Sequence, residues 1–187
     1  MLIYVLLSAV VLLFFLAPFF QFIQNKPGVS LSDPVLNALP AYDLSISIFI
    51  LIYGMVLLTI ALNYSNPHFI LVALATYCTV TYFRIITIYL FTLEPPTGLV
   101  LLRDPFVSLI AYENTFVKDL FFSGHIATLM VLVFPERKPV FRYLKLTVTL
   151  IVAAMLLIQH IHYTIDILAA PLFSYAAYRL IQKGLGK

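Results

Sequence analysis

Three side chains in this sequence have the types and the spacing to act together as a nucleophilic centre. They are His162 and Asp166, within His162-Tyr163-Thr164-Ile165-Asp166, and His125, which closes the run Phe122-Ser123-Gly124-His125. His162 and Asp166 are four residues apart, so on a helix they fall one turn apart on the same face. There the carboxylate accepts one ring N–H, fixes the tautomer and leaves the other ring nitrogen free to attack. His125 lies far away in sequence and joins them only if the elements that carry the three residues pack together.

Those elements are expected to be membrane helices. Of 187 residues, 63% are hydrophobic and 10% are charged, and the mean hydropathy of +1.04 is far outside the range of a soluble domain. A bilayer core needs roughly 20 apolar residues per helix, so the length predicts an all-α bundle of about six transmembrane helices, forming one integral membrane domain over residues 1–187. The spans read as about Leu2 to Ile23, Leu44 to Leu62, Phe69 to Thr92 and Asp119 to Phe134, with two more between Phe141 and Arg179. The first span has neither a basic start nor a small-residue cleavage site and is expected to stay uncleaved. Asn63 to Pro67 and Glu94-Pro95-Pro96 end the second and third spans. No Gly or Pro separates the last two, and the polar cluster Gln159 to Tyr163 is the expected turn. The single cysteine, Cys78, has no disulfide partner, so helix packing must hold the fold. No internal repeat and no low-complexity segment interrupts it.

With the N-terminus in the cytoplasm, Arg137, Lys138, Arg142, Lys145, Arg179, Lys183 and Lys187 fall on the cytoplasmic side, and Lys26, Arg103 and Lys118 on the other. The bias favours that topology, with both termini inside. It puts Asp33, Asp43, Glu94, Asp104, Glu113, Asp119 and Asp166 at the extracytoplasmic or lumenal face, together with His125, His160 and His162. A net charge of +3 without a basic, aromatic-interleaved run excludes nucleic acid as a partner. The remaining partners are lipids of the bilayer.

Phe122-Ser123-Gly124-His125 and His160-Ile161-His162-Tyr163-Thr164-Ile165-Asp166 resemble the third and fourth motifs of the sphingomyelin synthases and related sphingolipid synthases. Those enzymes belong to the type 2 phosphatidic acid phosphatase (PAP2) superfamily. Arg84-Ile85-Ile86-Thr87-Ile88-Tyr89, followed by Thr92-Leu93 and Pro96, is similar to the second motif, and Asp119 falls where that family has an acid six residues before the motif histidine. The resemblance runs from about Arg84 to Ala170 and implies a PAP2-like core. The family's first, proline-rich motif has only a loose counterpart in Asp33-Pro34 to Asp43.

The resemblance implies double displacement. His162, oriented by Asp166, attacks the phosphorus of a glycerophospholipid, and His125 protonates the departing diacylglycerol oxygen. The phosphohistidine then passes the headgroup to a ceramide-like or diacylglycerol acceptor, or to water, with His125 as base. The typical phosphatase carries Lys and Arg-Pro before the Ser-Gly-His, and Ser-Arg six or seven residues before the second histidine. Here Met155 and Leu156 stand at the latter place. A site short of cations suits a singly charged phosphodiester better than a monoester, which favours headgroup transfer or phospholipase C-like cleavage over dephosphorylation. The alternatives are a PAP2-type lipid phosphate phosphatase and a non-catalytic lipid-binding or transport protein.

Arg84 is the only basic residue expected inside a span, and a buried guanidinium needs an anion. That anion is either a substrate phosphate or a structural partner, Asp119 or Glu94. Asp119 is a candidate for contact with the headgroup or with His125. On a continuous helix His160 would point about 200° away from His162, which gives it a supporting role. His68 sits at the opposite turn. The sixteen Phe and twelve Tyr read as packing and interfacial belts. No metal or other cofactor is expected, because the histidines and acids do not form a tight ligand set.

Overall fold

The computed structural model describes residues 1–104 and 116–186, so Glu113 and Lys187 of the charge count lie outside the described residues. The helices are α1 (Leu2–Asn25), α2 (Pro34–Asn37), α3 (Ser45–Asn63), α4 (Pro67–Leu90), α5 (Gly124–Val133), α6 (Pro139–Ile158) and α7 (Thr164–Gly184). Among the described residues there is no strand, only an isolated bridge between Val29 and Leu93. The architecture is the expected all-α bundle. By length and composition α1, α3, α4 and α6 can each cross a membrane, and α5 is a shorter apolar helix. These apolar helices make the chain an integral membrane protein.

Local chemistry sets the helix ends. Asn66 caps α4 by accepting the Phe69 N–H at 3.1 Å, and Pro67 occupies the first turn, where its missing donor costs nothing. Ser123 caps α5 and Pro139 opens α6. Pro18 and Pro171 lie inside α1 and α7, a placement that membrane helices tolerate. The core forms where α5 packs against α3, α4, α6 and α7, and α1 lies along α4.

Two expectations are corrected. The fourth span was to start near Asp119, but the helix starts at Gly124. The carbonyls that would begin an earlier helix are taken by side chains of α4. Thr87 Oγ1 donates to the Phe121 carbonyl at 2.9 Å, and Arg84 Nε donates to that of Phe122 at 3.0 Å. Residues 159–163, in contrast, are not a continuation of a helix. The turn between α6 and α7 falls where the polar cluster is, and it is made without glycine. His160 takes φ 56°, a conformation that costs a non-glycine residue on the order of 1 kcal/mol or more. Its ring offsets that cost by sitting 3.0 Å from the Thr97 carbonyl at Nδ1 and 3.1 Å from that of Leu39 at Nε2. No helix carries His160, so the expected 200° offset from His162 does not exist, while the ring's two backbone contacts are those of a support.

One end of the bundle collects the long connections. Asp33 accepts the Thr164 N–H at 2.6 Å and its hydroxyl at 3.0 Å, besides capping α2 through the N–H groups of Val35 and Leu36. Gln159, fully buried, donates to Ser45 Oγ at 2.9 Å and to the carbonyls of Val100 and Leu101, and accepts the Leu44 N–H at 3.0 Å. Tyr163 Oη donates to the Glu94 carbonyl at 3.1 Å. The opposite end holds a buried ion pair in which Lys145 Nζ meets Glu136 Oε2 at 2.7 Å.

Candidate functional site

The site forms where the start of α5 meets the turn before α7. Ser123 carries the junction in its backbone, since its N–H donates to the Asp166 carbonyl at 3.1 Å. This bond ties the Ser-Gly-His run to the first turn of α7. His125 and His162 come together there with ring centroids 5.8 Å apart and planes at 64°. His162 is 1% exposed and Asp166 is fully buried.

His162 and Asp166 are close for a reason other than the predicted one. His162 precedes α7 and is not helical. Asp166 occupies the third position of α7, and its Oδ2 accepts the Tyr163 N–H at 2.9 Å. That contact folds the chain before the helix back over its first turn and brings His162 Nδ1 to 3.5 Å from the same oxygen. The carboxylate also sits at the positive end of the helix dipole, which favours its charge. The His162 contact is not aligned as a hydrogen bond, because both His162 ring nitrogens, Asp166 Oδ1 and His125 Nδ1 are buried without a partner. An unmet buried polar group costs roughly 1–3 kcal/mol, so four of them in one cluster mark a place prepared for something polar. Loose contacts of this kind commonly tighten when a substrate is bound.

The cation of the site comes from α4. Arg84 pairs through Nη2 with Asp119 and donates from Nε to the Phe122 carbonyl. Of the two structural partners expected, Asp119 is the one it takes, while Glu94 pairs with Lys118 at 2.7 Å. The guanidinium lies directly over the first residue of α5. A Cβ built on Gly124 would fall 2.6 Å from Nη1 and 2.7 Å from Cζ. Gly124 is thus needed for space, a reason the sequence did not reveal even though the Ser-Gly-His pattern marked the position. Nη1 makes no hydrogen bond to any described residue.

Behind this layer Phe122 stacks on Phe173 at 4.5 Å, and Phe49 of α3 meets the His125 ring edge-on at 6.0 Å. The Phe49 contact packs the His125 ring from the α3 side. The loops above the site carry carboxylates tuned by their surroundings. The acidity of Glu94 is raised first by the Lys118 ammonium and then by the Gly28 N–H, which hold it below the ordinary carboxylate range. For Asp33, burial works toward protonation, but the Thr164, Leu36 and Val35 donors outweigh it and hold the carboxyl below its usual range. Asp33 and Thr164, which lock the loop onto α7, were missed as a pair from sequence. The sequence marked Asp33-Pro34 to Asp43 only as a loose counterpart of a proline-rich motif. Among the described residues no group of three or more His, Cys, Asp or Glu is arranged to hold a metal ion.

Residues 118–183 match the family model described as PAP2 superfamily C-terminal. The matched stretch, about a third of the chain, holds Asp119, His125, His162 and Asp166 and runs from the start of the site into α7, so the likeness to that superfamily covers the residues of the site. No curated protein matches the chain.

Proposed function

We propose that this protein is a phospholipid headgroup phosphotransferase working by a phosphohistidine, with a membrane glycerophospholipid as donor and a ceramide-like or diacylglycerol lipid as acceptor. The observation that carries the reading is the buried cluster of His125, His162 and Asp166, in which four polar atoms lack partners. In the first half-reaction a His162 ring nitrogen bonds to phosphorus as the bond to the diacylglycerol oxygen breaks, and His125 gives that oxygen its proton. Asp166 stabilises the positive charge that develops on the His162 ring. In the second half the acceptor hydroxyl gives its proton to His125 and attacks phosphorus, and the P–N bond breaks. Arg84 Nη1 is available to a phosphate oxygen. Asp119 holds the guanidinium in place and lines the approach of the headgroup.

Charge favours a diester. The guanidinium of Arg84 is already balanced by Asp119, and the nearby Lys118 by Glu94. A dianionic monoester would meet little uncompensated positive charge in a low-dielectric setting. The basic bias of the opposite end supports placing the site toward the extracytoplasmic or lumenal face.

The test is product analysis with purified protein, phospholipids of several headgroups and ceramide. Transfer predicts diacylglycerol together with a new phosphosphingolipid or exchanged phospholipid, and no inorganic phosphate from phosphatidic acid. Phosphate release alone would replace the reading with a phosphatase, and no product at all would leave a lipid-binding protein.

A further inference from the structure

On the side of α4 away from α5, α1 and α4 enclose a groove of about 480 Å³ with an almost wholly apolar lining. Phe15, Pro18 and Phe22 form one wall, and Ile86, Tyr89 and Leu90 the other. Most of these side chains are at least half exposed, on helices long and apolar enough to lie in a membrane, so the groove is open to hydrocarbon and fits an acyl chain.

Its mouth, at the loop-rich end of the bundle, is charged. Phe22 and Tyr89 stack at 6.3 Å, and the Lys26 ammonium lies over the Tyr89 ring at 4.3 Å. Lys26 Nζ donates to the Tyr89 carbonyl, which leaves N–H groups for a further acceptor. The neighbouring cation is already balanced. Lys118 bonds to the Lys26 carbonyl at 2.9 Å and forms its ion pair with Glu94. Lys26 forms no ion pair among the described residues, so of the described cations at this corner it is the one left to meet an anion above the apolar wall.

We infer that the groove between α1 and α4 is a binding site for an anionic glycerophospholipid, with one acyl chain along Phe15, Phe22 and Ile86 and its phosphate on Lys26. It is separate from the histidine site, because Arg84 points from α4 toward Gly124 while the groove faces α1. It therefore stands whether or not the headgroup chemistry does. A bound chain would also brace α1, whose packing in the bundle is chiefly against α4.

The chain has no tryptophan, which allows a direct test with full-length protein reconstituted in mixed bilayers. Phe22→Trp places a single reporter in the groove, and Leu150→Trp places one on the exposed face of α6 as a reference for ordinary lipid contact. Quenching by brominated phosphatidylglycerol is compared with quenching by brominated phosphatidylcholine. One lysine at a membrane surface is worth about fivefold in binding an anionic lipid, so the phosphatidylglycerol preference at Phe22→Trp should exceed that at the reference by about that factor. Lys26→Gln in the Phe22→Trp background should remove the excess, and Lys26→Arg should keep it. Equal preference at the two reporters, or an excess that survives Lys26→Gln, overturns the inference.

Discussion

Replacing Gly124 by alanine isolates the contact that shapes the cationic wall of the site. The added methyl would stand 2.6 Å from Arg84 Nη1 and 3.0 Å from Nη2, whereas ordinary contact begins at 3.4 Å. The guanidinium must retreat by several tenths of an ångström, and it is held by two bonds that do not stretch, to Asp119 and to the Phe122 carbonyl. Hydrogen bonds to a charged group contribute about 1.5–3 kcal/mol. Losing the better part of one predicts a cost of roughly 2 kcal/mol, which is about 30-fold in kcat/KM if the displaced group serves the transition state. In detergent the same change should lower the unfolding midpoint by about 4–8 °C. The control is Arg84→Lys, whose slimmer ammonium leaves room for the methyl. In that background Gly124→Ala should cost little, giving a coupling of at least about 1 kcal/mol in the double-mutant cycle. Equal cost of Gly124→Ala in both backgrounds would show that the glycine serves some other purpose and that the guanidinium does not sit over α5.

Asp166→Asn keeps the size of the side chain and can still accept the Tyr163 N–H, but it removes the charge beside His162. Turnover should fall by on the order of 10²- to 10⁴-fold while donor KM changes little, as read from initial rates. Asp33 favours the folded state as a carboxylate because its acidity is raised on folding. The contribution is complete above the ordinary value of 3.8 and is lost as pH falls through the lower folded value. Acid unfolding of Asp33→Asn, followed by circular dichroism, should therefore depend less on pH below about 4 than that of the parent chain. Glu136→Gln leaves the Lys145 ammonium, 2% exposed, without its partner, which should cost about 3–5 kcal/mol. Adding Lys145→Met should restore most of it in a thermal melt.

The helices were legible in the sequence because hydropathy and breakers act locally. The turn at Asn63 to Pro67 separates α3 from α4 as its residue types predict, and the polar cluster at 159–163 marks a turn even without glycine, because Gln159 and His160 are there to bond the loops around them. The beginning of α5 was not legible. Nothing local in Asp119 to Ser123 forbids a helix, and only Thr87 and Arg84, more than thirty residues away, claim the carbonyls. For the same reason the proximity of His162 to Asp166 was foreseen through the wrong geometry. The spacing of four fits a helical turn, but the contact comes from a carboxylate reaching back to the Tyr163 N–H. Arg84 and Asp119 were both singled out, yet their pairing and the space reserved at Gly124 arise from packing between helices that no spacing rule encodes.

Headgroup transfer through this site requires a bond between phosphorus and a ring nitrogen of His162. Rapid quenching of purified protein with a donor radiolabelled in its phosphoryl headgroup, followed by peptide mapping under alkaline conditions that preserve phosphohistidine, tests it directly. The expected result is label on the peptide carrying His162, chased off by a ceramide-like or diacylglycerol acceptor and absent in His162→Ala. Turnover retained in His162→Ala, or label on another residue, would contradict it.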